Sequence, residues 1–313
     1  MTSAAVAIVN YQTRELLRSC LHSALRENPV EIVVVDNASR DSSAEMVQAE
    51  FPEVKLIKNE TNRGYAAAAD QAMARTAEDY IFLLNSDVIL KTGSIERLCG
   101  YLDQHPQVAI AGPRVVHPDG TLQPSCFPFP TPTDILLDVS HAGGIIRHVP
   151  ILRNRYLRTW DHRQSRRIPW VLGAAMMIRR EAYAAAGGFD RSFFMYYEEA
   201  DLCYRLARKG WQIHYAPSSE VAHLGSASTQ QAPTAMGVEL YSSLVRFYRL
   251  HYSKREFIQL SILIQMVARA RLIRDSIQLR LVRDQQSHER LLNNVTIWKR
   301  LLIGDWKKGA AHH

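Results

Sequence analysis

Continuous apolar runs alternate with stretches of helical period from the start of the chain. AAVAIVN (4–10) and EIVVVDN (31–37) read as buried strands. TRELLRSCLHSALRE (13–27) between them repeats its apolar positions three and four apart, a helix capped at Thr13. DSSAEMVQAEF (41–51) follows as a helix with a cap near Ser42 and Glu45 three residues on. VKLIKN (54–59), AAAADQAMARTA (66–77) and YIFLLNSDV (80–88) repeat strand, helix, strand. This alternation predicts an α/β fold, a Rossmann-like, mainly parallel central sheet flanked by helices.

Ligands of such sheets bind beyond the carboxyl ends of the strands. The residues there are Asp36, Asn37 and Ser39, then Asn59 to Gly64, then Asn85, Ser86 and Asp87, so each strand ends in polar or acidic groups. After the helix GSIERLCGYLDQHP (93–106) and the strand VAIAGPRVV (108–116), the turn HPDG suggests a hairpin and the alternation stops. Residues 124–169 are Pro-rich and then Arg-rich, the pattern of a functional lid or mobile loop. WVLGAAMMIRR (170–180) reads as a strand and EAYAAAGGFD (181–190) as a helix with a glycine stop. QIHYAP (212–217) is strand-like and leads into EVAHLGSAS (220–228). From Gly237 the chain is helical and basic.

One stretch resists a purely structural reading. FFMYYEEADLCYRLARKGW (193–211) crowds Glu198, Glu199 and Asp201 directly after four aromatics, although ionised carboxylates are costly to desolvate. Leu202, Cys203 and Leu206 share one side, and Asp201 lies four before Arg205, so the acids open a helix whose dipole they complement. Solvated capping acids have no need of Phe193, Phe194, Tyr196 and Tyr197.

Composition narrows the class. The 313 residues, 47% apolar and 22% charged, suffice for one large core or a core with a satellite, and exclude disorder. Cys20, Cys99, Cys126 and Cys203 have neither metal-ligand nor disulfide-framework spacing and read as reduced core thiols of a cytosolic protein. The N-terminus has no basic region ahead of its apolar run, and FIQLSILIQMVA is too short to span a bilayer, so the expectation is a soluble or peripheral protein. From Tyr241 onward 14 Lys and Arg face 5 Asp and Glu. That segment is +9 within a chain of +7, leaving −2 for the first 240 residues. A near-neutral body, and basic residues without aromatic interleaving, argue against nucleic acid as a partner.

Asp36 at a strand end can accept from a base N–H or a ribose hydroxyl, or it can cap the next helix through a turn. No G-x-G-x-x-G follows the first strand and no phosphate-binding G-x-x-x-x-G-K-[ST] occurs. Asp87, just past an apolar strand, suits a hard divalent cation held partly by phosphate oxygens, and His223 between a strand and a Gly/Ser-rich loop can join it. The other eleven histidines show no zinc-like pairing.

In order, AIVNY, VVVDNASRD, NETNRGYAAAAD, LLNSDV, WVLGAAMMIRR, GGFDRSFFMYYEEADLCYR and HLGSAS resemble family 2 inverting glycosyltransferases of the GT-A fold. The resemblance is greatest to bacterial rhamnosyltransferase-like members and spans roughly residues 4–230. It implies a GT-A domain over 1–235 and roles residue by residue. Asp36, Asn37, Asn62, Arg63, Asn85 and Ser86 would bind the nucleotide. Asp87 and His223 would hold Mg²⁺ or Mn²⁺ with the diphosphate. Trp170, Gly173, Tyr196 and Tyr197 would face the acceptor or sugar, and Glu199 would fall on the catalytic-base position. The chain departs from the family in having Glu198-Glu199 where Glu-Asp is usual and Asp70 where Asn is frequent. The base therefore stays open among Glu199, Glu198 and Asp201.

The implied reaction moves L-rhamnose from dTDP-L-rhamnose to a polyprenyl-diphosphate-linked saccharide in surface-polysaccharide or cell-wall synthesis. UDP-galactofuranose or a UDP-hexose is the alternative donor, and a non-catalytic nucleotide-sugar-binding subunit the alternative class. Residues 236–313 combine apolar faces with arginines, as in a helix on an anionic membrane surface or a hairpin packed on the body or on a second subunit of a homo-oligomer. The expected location is the cytoplasm, peripherally at the inner face of the membrane.

Overall fold

The computed structural model describes residues 4–132, 160, 162–225 and 231–307. Two compact units are present. One is built from 4–129, 160, 162–192 and 198–225, the other from 130–132, 193–197 and 231–307.

The first unit is a central sheet between helices. Its strands are β1 (Ala4–Asn10), β2 (Glu31–Asp36), β3 (Lys55–Lys58), β4 (Tyr80–Asn85), β5 (Val88–Leu90), β6 (Val108–Val116), β8 (Arg166–Ile168), β10 (Ala175–Arg179) and β11 (Gln212–His223). They run in the order β3-β2-β1-β4-β10-β6-β11-β5, with β8 on β11. Apart from Glu31 at the start of β2, strands β1, β2 and β4 are apolar up to their last residues and buried on both faces, as interior parallel strands must be. They pair in parallel with Val6 opposite Ile32 and Phe82, which brings Asn10, Asp36 and Asn85 to one edge. Helices α1 (Arg14–Leu25), α2 (Ser43–Glu50), α3 (Tyr65–Arg75) and α4 (Ser94–Gln104) cover the sheet. Leu17, Leu21, Met46, Val47, Leu98 and Leu102 reach its core.

The two expected caps take other forms. Thr13 precedes α1, but its hydroxyl bonds the Asn10 side chain at 2.7 Å and Ser86 at 2.6 Å rather than the helix end. Ser42 precedes α2 in the left-handed region with no side-chain cap, and Asp41 accepts from Ser43 N–H instead. Beyond β4 the sheet is mixed: β10 is antiparallel to both β4 and β6, and β5 to β11. HPDG does form a turn, with Val116 bridged to Leu122.

WVLGAAMMIRR is not one strand. Trp170–Val171 form β9, paired with β7 (Cys126–Phe127), and the chain breaks at Leu172–Ala174 before β10. The short helix α5 (Arg180–Ala186) ends at Gly187 in the left-handed conformation, and α6 (Glu198–Arg208) carries the acidic cluster. Of the expected loop at 124–169, residues 133–159 and 161 lie outside the described residues. The rest contributes β7 and β8. All four cysteines are buried and unpaired, and burial pushes the thiols of Cys20, Cys99 and Cys126 up to about 12.

In the second unit α7 (Pro233–His251), α8 (Lys254–Leu281) and α9 (Gln285–Leu302) pack together, followed by a single turn at Asp305–Lys307. Ser253 and Glu256 form a reciprocal capping box at the start of α8. Leu260, Ile264 and Val267 of α8 and Leu291, Val295 and Trp298 of α9 are buried. Asp275, fully buried, accepts from Trp298 Nε1 at 2.8 Å and Arg274 Nε at 2.7 Å, so the carboxylate has charged and neutral donors. No helix among the described residues is long and apolar enough to cross a membrane.

Gly112 of β6 shows where packing admits no side chain. A Cβ there would lie 2.3 Å from Val171 Cγ2. Gly112→Ala should therefore cost about 1–3 kcal/mol from overpacking, measured as a lowered denaturation midpoint. Adding Val171→Ala should recover most of the loss.

Candidate active site

The carboxyl edge of the parallel strands is bound together by side chains. Asn10 Nδ2 donates to Asp36 Oδ1 at 2.8 Å and to Ser39 Oγ at 3.1 Å, Thr13 Oγ1 donates to Asn10 Oδ1, and Thr13 meets Ser86. Asp36 Oδ2 accepts from Ser39 N–H at 3.0 Å. The relay thus runs Asp36–Asn10–Thr13–Ser86 across the ends of β2, β1 and β4, with all four side chains buried. Buried polar groups need partners, and these supply one another.

Asn37 is the second hub. Its Nδ2 donates to Asn62 Oδ1 at 2.8 Å and Gly64 O at 3.2 Å, while its Oδ1 accepts from Asn59 Nδ2 and Arg63 N–H, both at 3.0 Å. One buried amide therefore shapes the 59–64 turn and holds the exposed Arg63 at its rim. Asn85 lies between, its N–H bonded to Ala174 O at 2.9 Å.

Asp87 and His223 come together although 136 positions separate them. His223 Nε2 is 3.2 Å from Asp87 Oδ1, both residues are buried, and Asp87 Oδ2 accepts from Gly225 N–H at 3.1 Å. The antiparallel register of β11 with β5, His223 opposite Val88, brings them there. His223 Nδ1 lies 3.0 Å from Gln123 Oε1. With Nδ1–H donating to that oxygen, Nε2 and Asp87 Oδ1 stand as neighbouring lone-pair donors that a cation beside them can share. No group of three His, Cys, Asp or Glu side chains suited to a metal occurs among the described residues. One carboxylate oxygen and one imidazole fit a Mg²⁺ or Mn²⁺ ion that takes its remaining ligands from phosphate oxygens and water.

The three acids of α6 have separate environments. Asp201, 1% exposed, is paired with Arg205 at 2.6 Å, and Arg205 Nη1 also donates to Ala186 O at 2.6 Å, so this carboxylate anchors α6 to the end of α5. Glu199, 7% exposed, accepts from Gly173 N–H at 3.3 Å through Oε1, while its buried Oε2 has no hydrogen-bond partner among the described residues. Burial raises the Glu199 carboxyl above the ordinary glutamate value, although backbone N–H groups oppose the shift. Glu198 is buried beside it. A Cβ on Gly173 would stand 3.3 Å from Glu199 Oε1, so the break between β9 and β10 makes room for the carboxyl.

The sequence gives little sign of Tyr65 as a site residue. Its hydroxyl donates to Gly173 O at 3.2 Å, and its phenol is raised first by burial and then by the charges of Glu198, Glu199 and Asp87. It therefore stands among the acids of α6 and of the β4–β5 turn. The only hint was its place at the start of a small-residue helix. Asn10 and Thr13 were equally silent. Asp70, another departure from the family pattern, accepts from Tyr183 OH, from Phe189 N–H at 3.1 Å and from Arg191 Nε at 2.7 Å. Three donors suit a carboxylate better than an amide, and they fasten α3 to the turn leading toward α6.

Trp170 stacks on Phe127 at 4.6 Å and donates Nε1–H to Pro128 O at 2.7 Å. Tyr196 and Tyr197 both have positive φ, 67° and 63°, a costly conformation for non-glycine residues and one found where geometry is constrained by function. They belong to the second unit, where Tyr197 lies 6.0 Å from the Phe247 ring.

A raised Glu199 value couples the site to stability. The folded state favours the protonated form, so this group's contribution is full below its ordinary value of 4.5 and is lost as the pH rises through the raised one. Glu199→Gln removes that loss. Its Tm should exceed that of the wild type at pH 8, with the gap closing toward acid pH. Calorimetry across that range checks it, and a variant no more stable at pH 8 would contradict the buried, ionisable assignment.

Residues 3–237 match the family described as Glycosyltransferase like family 2. An N-acetylglucosaminyl-diphospho-decaprenol L-rhamnosyltransferase of Mycobacterium tuberculosis is 31% identical over 230 residues, covering 68% of this chain and 72% of that protein. The rhamnosyltransferase WbbL of Escherichia coli K12 is 28% identical over 165 residues, 52% of this chain and 59% of its own. Among solved structures, a Pyrobaculum calidifontis mannosyltransferase in complex with GDP-Man and Mn²⁺ superposes with a TM-score of 0.55 at 14% identity, over 96% of this chain and 87% of that one. GalNAc-T7 with UDP, GalNAc and Mn²⁺ gives 0.53 at 17% identity over 71% of this chain, which spans only 43% of that structure. These likenesses support the GT-A fold, and the match over most of the chain makes it a family 2 glycosyltransferase.

Proposed function

We propose that the protein is an inverting glycosyltransferase that moves L-rhamnose from dTDP-L-rhamnose to a polyprenyl-diphosphate-linked GlcNAc acceptor at the inner face of the cytoplasmic membrane, in surface-polysaccharide or cell-wall synthesis. The observation that carries the catalytic part is Glu199 Oε2, a buried carboxylate oxygen without a hydrogen-bond partner among the described residues, in a carboxyl whose proton affinity burial raises. The mycobacterial relative's stated activity supports the donor and acceptor.

In this reading Asp36 accepts from the nucleotide base, and Asn37 presents Asn62 and Arg63 beside it. Asn85 and Ser86 line the same edge. Asp87 and His223 would hold Mg²⁺ or Mn²⁺, which would offset negative charge on the diphosphate. Glu199 Oε2 takes the proton of the acceptor hydroxyl as that oxygen bonds to the anomeric carbon. The bond from that carbon to the diphosphate breaks, its electron pair leaves with the nucleotide, and configuration inverts. Asp201 is a positioning residue rather than the base, because Arg205 occupies it, and Glu198 reinforces the acidic surroundings. Trp170 and Gly173 contact the acceptor or the sugar, Trp170 by stacking.

The test is transfer from a panel of dTDP- and UDP-sugars to a synthetic polyprenyl-diphosphate GlcNAc, with Mg²⁺, Mn²⁺ or EDTA. Rhamnose transfer should require the cation, and Glu199→Gln should lower kcat by roughly 10²–10⁴ with little change in donor KM. Asp87→Asn and His223→Ala should raise the cation concentration needed for half-maximal rate. Preference for UDP-galactofuranose or a UDP-hexose would replace the donor, and full activity in Glu199→Gln would move the base to Glu198. Donor binding without transfer to any acceptor would make the protein a non-catalytic subunit.

A further inference from the structure

Helix α8 is apolar on two opposite sides, and only one of them is covered. Leu260, Ile264, Val267 and Ala268 are buried in the second unit. Ile258, Ile262, Met266, Ile273, Ile277 and Leu281 are exposed, Ile273 by 63% and Leu281 by 74%. At 100° per residue these six fall within a sector of about 140°, roughly opposite the buried set. The stripe runs nearly the whole 28-residue helix, about 42 Å at 1.5 Å per residue. A helix apolar on both sides calls for cover on both, and a patch this long on a soluble surface marks an interaction site.

Charge identifies the occupant. Arg255, Arg269 and Arg280 are exposed within the same sector, which contains no Asp or Glu. Of the two acids in α8, Glu256 is occupied by the Ser253 cap and Asp275 is buried against Trp298. A second copy laid on this stripe would set arginine against arginine with no acid to answer it. A bilayer with anionic headgroups accepts both components, the apolar side chains at the acyl boundary and the guanidinium groups among the phosphates.

We propose that the outer face of α8 is the surface by which this protein lies on an anionic membrane. The inference deepens the reading of a lipid-linked acceptor, since such an acceptor is confined to a bilayer, and it assigns the contact to named residues. The helix lies in the interface plane and does not span it.

Flotation of the full chain with phosphatidylglycerol/phosphatidylcholine vesicles at physiological salt tests this. The wild type should float with them and about tenfold less with phosphatidylcholine alone. Ile262→Glu/Ile273→Glu, and separately Arg255→Gln/Arg269→Gln/Arg280→Gln, should each reduce bound protein about tenfold. Both variants should keep the wild-type circular dichroism spectrum, because the altered side chains are exposed. No flotation of the wild type, equal binding to uncharged vesicles, or binding unchanged in both variants would overturn the proposal. So would a sedimentation result in which the wild type is a dimer that Ile262→Glu/Ile273→Glu dissolves while vesicles stay unbound. Face-dependent flotation supports the inference whatever sugar is transferred, and transfer to a short-chain, water-soluble acceptor measures the catalytic reading separately.

Discussion

Everything at the ligand edge depends on one requirement, that polar side chains taken out of water must be hydrogen-bonded. At the ends of β1, β2 and β4 this is met by Asp36, Asn10, Thr13 and Ser86 bonding in series. Leaving any one unpaired would cost on the order of 1–3 kcal/mol, so the members hold one another in register. The strand ends become a rigid floor rather than a set of independent loops. Asn37 extends the same logic to the turn at 59–64, where a single amide satisfies four partners.

The acidic helix sits against this order as its exception. Asp201 is buried yet fully engaged with Arg205, a charge that serves the fold. Glu199 is buried with an oxygen left over, which works against the stability of the ionised protein and in favour of proton uptake. Gly173 makes that burial possible by leaving space beside Oε1, and Tyr65 and Asp70 on the flanks of α3 tie the surrounding backbone. Stability lost at one carboxyl is thus supported by hydrogen bonds at its neighbours, the usual relation between a reactive group and its scaffold.

The helical unit obeys a different constraint. Its core is built from one side of α8, pinned to α9 by Trp298 on Asp275, and the arginines gather where no acid balances them. The basicity of the chain is therefore a property of this unit, and Arg255, Arg269 and Arg280 share the outer face of α8.

Periodicity alone determined the alternating strands and helices from β1 to β4, then α4 and β6, the acidic start of α6 and the glycine stop of α5, because these depend on neighbours within a few residues; β5, antiparallel to β11, escaped it. Continuous apolar runs also told which strands lie inside, and the ordered motifs carried the family. The break at Gly173, the antiparallel β10 and the hydroxyl of Thr13 turned toward Ser86 were decided by tertiary packing, since each is set by residues distant in the chain. The same holds for the pairing of His223 with Asp87, which the register of β11 on β5 creates. A sequence displays three acids within four positions as equals. Only the folded structure gives Asp201 an arginine and leaves Glu199 with an oxygen that no described residue bonds, because burial and partners, not composition, decide what a carboxylate can do.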